Sequence, residues 1–321
     1  MSSTNNRGVA LVITLLVLTL LLTIILDFNL GMRVEARSAA NFRDDLKAYY
    51  LARSGITFAI ALLEEDGRTE PDYDSLNELW AQKIPLIPVG DGFISVEIID
   101  ESSKINANKL ATGLAGVTGE NMRSTMVRFL KQFKIEDDAA KTIADSIADW
   151  IDLDDRILEH GAESNYYEGL EEPYKAKDKS LYSLQELRLI KDMEGDAFAR
   201  LRNFLTVFSD GLININTASK EVLISLSEDI TEATANEIIT IRADAPFTEP
   251  TNIEPLSSLS AEEKLKIARL INVSSNYFSI TSAGEVNHNR KTIHAVVKRE
   301  VMGNEGETRD VEVGILYWHV E

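Results

Sequence analysis

The apolar positions of this chain fall into two regimes at its N-terminal end. From Val9 to Leu26 run 18 consecutive residues without a charge, preceded by a polar leader that ends in Arg7 and Gly8. At about 1.5 Å per residue this run is roughly 27 Å long as a helix, enough to cross the hydrocarbon core of a bilayer. Beyond it the pattern turns amphipathic instead of breaking. Phe42, Leu46, Tyr49, Ala52, Ile56, Ala59 and Leu63 recur at steps of three and four, which lays an apolar stripe along one helical face. No proline occurs before Pro71. The pattern predicts one rod of roughly 55 residues that leaves the membrane and continues.

Past a mixed connector from Pro71 to Gly92, Phe93 to Ile99 reads as a strand, with Gly90, Gly92 and Asp100 punctuating its ends. From about Asn106 to Leu270 the period is helical. Met122 to Phe133, Asp137 to Trp150, Ser183 to Met193, Ser219 to Leu226, Thr231 to Arg242 and Ala261 to Leu270 read as short helices, several opened by Ser, Thr or Asp with Glu in the first turn. Strands return at Tyr277 to Ala283, Lys291 to Val301 and Val311 to His319, separated by Asn287-His288-Asn289 and by Gly303 to Gly306. The economical arrangement is a long helix packed on a small antiparallel sheet, with a large helical insertion between its first and later strands.

Charge gives this arrangement a direction. One of the 33 basic residues, Arg7, precedes the membrane run and all 52 acids follow it, so the remainder carries 32 against 52, a net −20. The basic side stays in the cytoplasm and the acidic body goes out. Such a surface repels nucleic acid and anionic headgroups and attracts metal cations. The absence of cysteine fits the cytoplasm or an exported domain held by core and metal instead of disulfides.

A secretory signal peptide would have a shorter apolar core and a small-residue cleavage site after it, whereas here Leu26-Asp27-Phe28 leads on into more helix. A plain single-pass anchor is the other ordinary reading. Arg7-Gly8-Val9-Ala10-Leu11 resembles the processing site of the type IV pilin and pseudopilin family. The resemblance implies that prepilin peptidase cuts between Gly8 and Val9 and that Val9 becomes the N-methylated first residue. It also implies a Glu at the fifth mature position, where this chain has Ile13. In a growing fibre that carboxylate would neutralise the buried amino terminus of the subunit already in place, because a lone charge in hydrocarbon is costly. A subunit without it fits first place, with nothing above it.

Over nearly its whole length the chain further resembles the minor pseudopilin K family of type II secretion systems. The resemblance is carried by Asp100 to Asn108, Ala148 to Asp154, Gly161-Ala162-Glu163 with Tyr166 and Tyr167, Ser183 to Leu187, and Ile213 to Ala218. It implies an α+β, pilin-like fold with an inserted all-α domain. The divisions expected are a leader over 1–8, the transmembrane and pilin-type helix over 9–66, the first part of the pilin-like domain over 67–103, the inserted domain over 104–272 and the C-terminal strands over 273–321.

Three constellations are candidates for chemistry. Asp149, Asp152, Asp154, Asp155, Glu159 and Glu163 form the densest run of hard oxygen donors, suited to Ca²⁺ or Mg²⁺. Asp152, Asp154 and Glu163 fall at the first, third and twelfth places of an EF-hand loop, but Arg156 and Ile157 stand where a ligand and a glycine are required. An irregular calcium loop built on Asp152, Asp154, Asp155 and Glu163 is one reading, and a solvated acidic turn is the other. The resemblance favours Ca²⁺, one or two ions, with Asp178 available for a second site. Ile213 to Ser219 and the two helices after it resemble a helix-hairpin-helix module, yet Glu228 and Asp229 would face the phosphate. That segment reads as a packing unit, with Asn214 and Asn216 bonding backbone and Ile213 and Ile215 in the core. His160, His288, His294 and His319 are scattered and no nucleophile motif occurs. A membrane-anchored, metal-dependent hydrolase with an acidic site is the competing class.

The resemblance implies a non-enzymatic assembly protein of the inner membrane with its body in the periplasm. Its expected partners are minor pseudopilins I and J, other pseudopilins, the inner-membrane secretion platform and prepilin peptidase, with no nucleic acid. The stripe from Phe42 to Leu63 is expected to form the seam shared with partner helices. Arg53 is a candidate for a specific contact there.

Overall fold

The computed structural model describes residues 6–69, 72–82, 85–113, 118–193, 196–253, 256–302 and 309–321. Met1 to Asn5, the start of the expected leader, lie outside the described residues. A single helix α1 (Asn6–Thr69) runs for 64 residues, about 96 Å at 1.5 Å per residue. Its apolar first part is wholly exposed within the protein, as a segment meant for lipid is. Thr14, Thr19 and Thr23 return their hydroxyls to carbonyls three or four residues back, so no polar group of theirs is left for lipid to face.

The rod packs on a five-stranded antiparallel sheet made of β1 (Ile87–Val89), β2 (Gly92–Asp100), β7 (Tyr277–Val286), β8 (Asn289–Met302) and β9 (Asp310–Val320), in the order β1-β2-β7-β8-β9. Ala52, Ile56, Ala59 and Leu63 lock against Ile98, Phe278, Ile280 and Val297 in one buried core. Contact is close enough to require glycine. A Cβ on Gly284 would sit 2.1 Å from the Ala48 carbonyl oxygen, and one on Gly55 would sit 2.1 Å from Ser282 Oγ.

That packing corrects the expected seam. The stripe at Ala52, Ile56, Ala59 and Leu63 is consumed inside the subunit, where each is at most 2% exposed. The first members of the expected stripe, Phe42 and Leu46, stay outward and with Tyr50 and Phe58 make an exposed row, all at least 43% exposed. Arg53 is exposed on the outward side as well.

Between β2 and β7 the chain builds the inserted region. It contains β3 (Ile105–Asn106), α2 (Lys109–Thr112), α3 (Gly119–Gln132), α4 (Asp137–Ile151), α5 (Ser164–Tyr167), α6 (Asp196–Leu201) and β4 (Leu205–Thr206), then β5 (Ile213–Asn214), α7 (Lys220–Leu226), α8 (Glu232–Asp244), α9 (Ala261–Ala268) and β6 (Ile271–Asn272). The helices share a separate buried core around Phe129, Ile143, Ile147, Trp150 and Leu223. Two short parallel pairs, β3 with β4 and β5 with β6, bring together segments far apart in the chain. Ser183 to Met193, expected as a helix, forms only a 3₁₀ segment over Leu184–Leu189. It starts from a full capping box at Ser183 and Glu186, then extends at Ile190 and turns left-handed at Asp192.

A buried polar knot joins the two halves. Asp100, at the end of β2, accepts from the Ser102 N–H and from the hydroxyls of Thr217 and Ser275. The Asn214 amide donates to Asp100, to Ser275 and to the Asp74 carbonyl. Arg299 of β8 reaches the same place and pairs with Asp66 at 2.7 Å and Asp74 at 2.6 Å. Burial pushes the Asp74 carboxyl up to about 6 against the pull of Arg299, and Asp100 likewise to about 6.

Candidate metal centre

Helix α4 is amphipathic and ends against a loop that folds back over its last turn. Asp152 closes the helix with its N–H on the Ala148 carbonyl, and the Leu158 N–H returns to the carboxylate of Asp149 at 3.2 Å. Trp150 anchors the returning chain, its ring edge-on to Tyr167 at 4.9 Å. Within this fold-back, carboxylate oxygens of Asp149, Asp152 and Glu163 lie within 4.8 Å of one another. Asp149 is fully buried and Glu163 is 2% exposed. A Cβ on Gly161 would fall 1.9 Å from Asp149 Oδ2, so only a glycine admits the chain past that carboxylate.

The electrostatics of the cluster are unfavourable for the protein alone. Both carboxylate oxygens of Glu163, one of Asp152 and one of Asp178 are buried without any hydrogen-bond partner. Burial and then the neighbouring acids push Glu163 up to about 7, burial pushes Asp149 up to about 6, and Asp152 is raised by the same causes. The acids also stand at the C-terminal end of α4, where the helix dipole disfavours negative charge. Orphaned buried carboxylate oxygens converging at a helix C-terminus are a donor set that a hard divalent cation satisfies.

The expected ligands divide. Asp152 and Glu163 belong to the cluster. Asp154 and Asp155 are exposed, and Asp154 instead accepts from the Arg156 N–H at 2.9 Å in a local turn. Asp149, part of the acidic run but left out of the expected ligand set, joins them from the last turn of α4. Asp178, held left-handed at φ 52° with its N–H on the Trp150 carbonyl, raises the proton affinity of both Asp152 and Glu163 and so faces this centre. A second acidic group, Asp66, Asp74 and Glu78, already has its cation in Arg299. Glu78 there accepts from the indole N–H of Trp80, and burial pushes it up to about 8.

The helix-hairpin-helix-like segment packs into the inserted region. Asn216 exchanges two hydrogen bonds with the backbone of Phe247 at 2.8 Å, and Ile213 and Ile215 are in the core. The carbonyls of Ser225 and Leu226 at the end of α7 are capped by Arg128. At the other end of the chain, Gly8 and Val9 lie in the exposed start of α1 and Ile13 is 58% exposed on it.

Comparison with known proteins agrees with this architecture. Relatives named type II secretion system protein K from Aeromonas hydrophila and Pseudomonas aeruginosa are 27% and 28% identical. The first match covers 91% of this chain and 92% of the relative, and the second 94% and 91%. The fold matches a chain in the crystal structure of the GspK-GspI-GspJ complex of enterotoxigenic Escherichia coli with a TM-score of 0.69, at 20% identity, over 89% of this chain and 99% of that one. These comparisons lend no support to the hydrolase reading. Family models described as type II secretion system protein K match residues 103–210 and 213–273, more than half of the 321 residues between them. On that match, the chain belongs to the type II secretion system protein K family.

Proposed function

We propose that this protein is the minor pseudopilin that starts and caps the periplasmic pseudopilus of a type II secretion system, in a tip complex with minor pseudopilins I and J. Its role is structural and not enzymatic. Prepilin peptidase cleaves between Gly8 and Val9, Val9 is N-methylated, and the apolar rod waits in the inner membrane with the acidic body in the periplasm. The observation that carries the tip position is Ile13, a neutral side chain where a buried amine of a preceding subunit would need a carboxylate. The membership of the family and the inserted region, which adds bulk to one end of the rod, support the same placement.

The outward row of Phe42, Leu46, Tyr50 and Phe58 is the seam for the partner rods, since helices rising from one membrane meet side by side. Beside it, between α1 and the β1–β2 turn, lies an apolar groove of about 590 Å³ lined by Phe42, Leu46, Tyr50 and Val89.

Calcium is the ion that suits Asp149, Asp152, Glu163 and Asp178, an all-carboxylate set of hard oxygens. When bound it supplies the positive charge that lets these buried acids ionise together. Asp149 and Asp152 then hold the end of α4, and Glu163 and Asp178 hold the two loops that return to it.

Mass spectrometry of protein from the native membrane tests the processing step. A methylated N-terminus at Val9 is expected, and an intact Met1 contradicts the pseudopilin reading. Co-purification of I and J with the wild type, lost with Leu46→Glu, tests the tip complex.

A further inference from the structure

β1 and β9 are the two edge strands of the sheet as described, and β9 is the longer of them. Among the described residues β9 pairs only with β8. Glu321 and Thr292 exchange both backbone hydrogen bonds, at 2.8 and 3.1 Å. Antiparallel ladders alternate bonded and non-bonded pairs, so Val320 and Trp318 direct their N–H and C=O groups away from β8.

The side chains along this edge are apolar and uncovered. Ile315, Trp318 and Val320 are 50%, 36% and 39% exposed. Their cross-strand partners Val297, Ala295 and Ile293 belong to the core beneath α1. The three therefore stand on the sheet face that α1 covers, but beyond its reach; α1 shields the start of the strand at Val311, beside Gly67. Of the devices that protect such edges, β9 has a register irregularity at Leu316, opposite Val296 and Val297, but neither lysine nor proline.

Charge selects among occupants. Asp310 and Glu312 stand at one end of β9, where the adjacent Arg309 is paired with Asp72, and Glu321 follows the other. A second copy would bring one acid-ended strand, on a chain of net charge −19, against another. The complementary strand is apolar in its middle and basic at its ends.

We propose that the outer edge of β9 is a strand-addition site for an extended segment of another protein, with apolar side chains at alternate positions and lysine or arginine at both ends. The added strand satisfies the free backbone groups of Trp318 and Val320, and its side chains cover Ile315 and Val320.

The test uses the full chain in detergent and strand-length synthetic peptides of alternating valine and threonine, labelled for fluorescence anisotropy. One peptide carries two lysines at each end and its counterpart two glutamates. The lysine-ended peptide is expected to bind about tenfold more tightly than its counterpart, a gap of a few cross-strand charge pairs. Val320→Pro, which removes an outward N–H without touching a bond to β8, abolishes binding. Ile315→Lys, which keeps the backbone intact and repels the basic ends, weakens it with an unchanged melting temperature. Equal binding of both peptides, no binding of either, or retention of binding in Ile315→Lys overturns the proposal. A dimer of the full chain that Ile315→Lys breaks would name a second copy as the occupant and overturn it equally.

Discussion

Arg299 donates from Nη2 to both carboxylate oxygens of Asp74, at 2.6 and 2.8 Å, with both side chains nearly or fully buried. The pair ties β8 to the connector that leaves the rod. Through the Asp74 carbonyl and Asn214 it reaches the inserted region. Removing one partner of such a pair leaves an uncompensated buried charge, a loss of about 3–5 kcal/mol. Arg299→Met is therefore expected to lower the denaturation midpoint far more than Lys47→Met, whose partner Asp91 is exposed and whose loss costs less than about 1 kcal/mol.

Asp100 makes the same junction sensitive to pH. Its folded carboxyl lies near 6 against about 3.9 when unfolded. The folded state thus binds the proton more readily, so this group's contribution is fully present below about pH 4 and is lost as pH rises through 6. Asp100→Asn should flatten the stability curve between pH 4 and 7, by on the order of 1–3 kcal/mol across the window. It should also lower stability overall, since an acceptor of four hydrogen bonds is replaced. An unchanged slope in the variant would remove Asp100 from the pH response.

For the metal centre, adding Ca²⁺ to chelator-stripped protein should raise the melting temperature. At a hundred times the dissociation constant the stabilisation is about 2.7 kcal/mol, on the order of 5–10 °C for a body of this size. Glu163→Gln should abolish the shift, while Asp155→Asn, an exposed residue outside the cluster, should leave it intact. Loss of the shift in Asp155→Asn would return that residue to the ligand set.

The two apolar rows of α1 separate folding from assembly. Ile56→Ala opens a cavity in the core and should cost about 2–5 kcal/mol. Leu46→Glu changes an outward position and should leave the melting temperature of the isolated protein unchanged while abolishing co-purification with I and J. A matching drop in melting temperature would place Leu46 in the fold instead.

The rod, the strands β2, β7, β8 and β9 and the helical insertion between β2 and β7 were legible in the sequence, because each rests on a local period or a local breaker; β1, inside the expected connector, and the two-residue strands β3 to β6 were too short to show one. Which of two apolar rows faces inward was not. Phe42, Leu46 and Ile56 share one spacing pattern, and only the position of the sheet, with Gly55 and Gly284 admitting it, decides between them. The acids after α4 were visible as a run, but a run does not say which carboxylates turn inward. Asp149 stands in the last turn of α4, while Asp178 comes from a loop 15 residues beyond Glu163. The junction had no local signal at all, since Asp74 and Arg299 are 225 positions apart.

The tip position is tested most directly by cross-linking from position 13. A photoreactive residue replacing Ile13, in cells assembling pseudopili, should capture neighbours on the membrane-proximal side alone, and a label on the body should mark only one end of each fibre. Products flanked by subunits on both sides, or labels spaced along the fibre, would contradict the account.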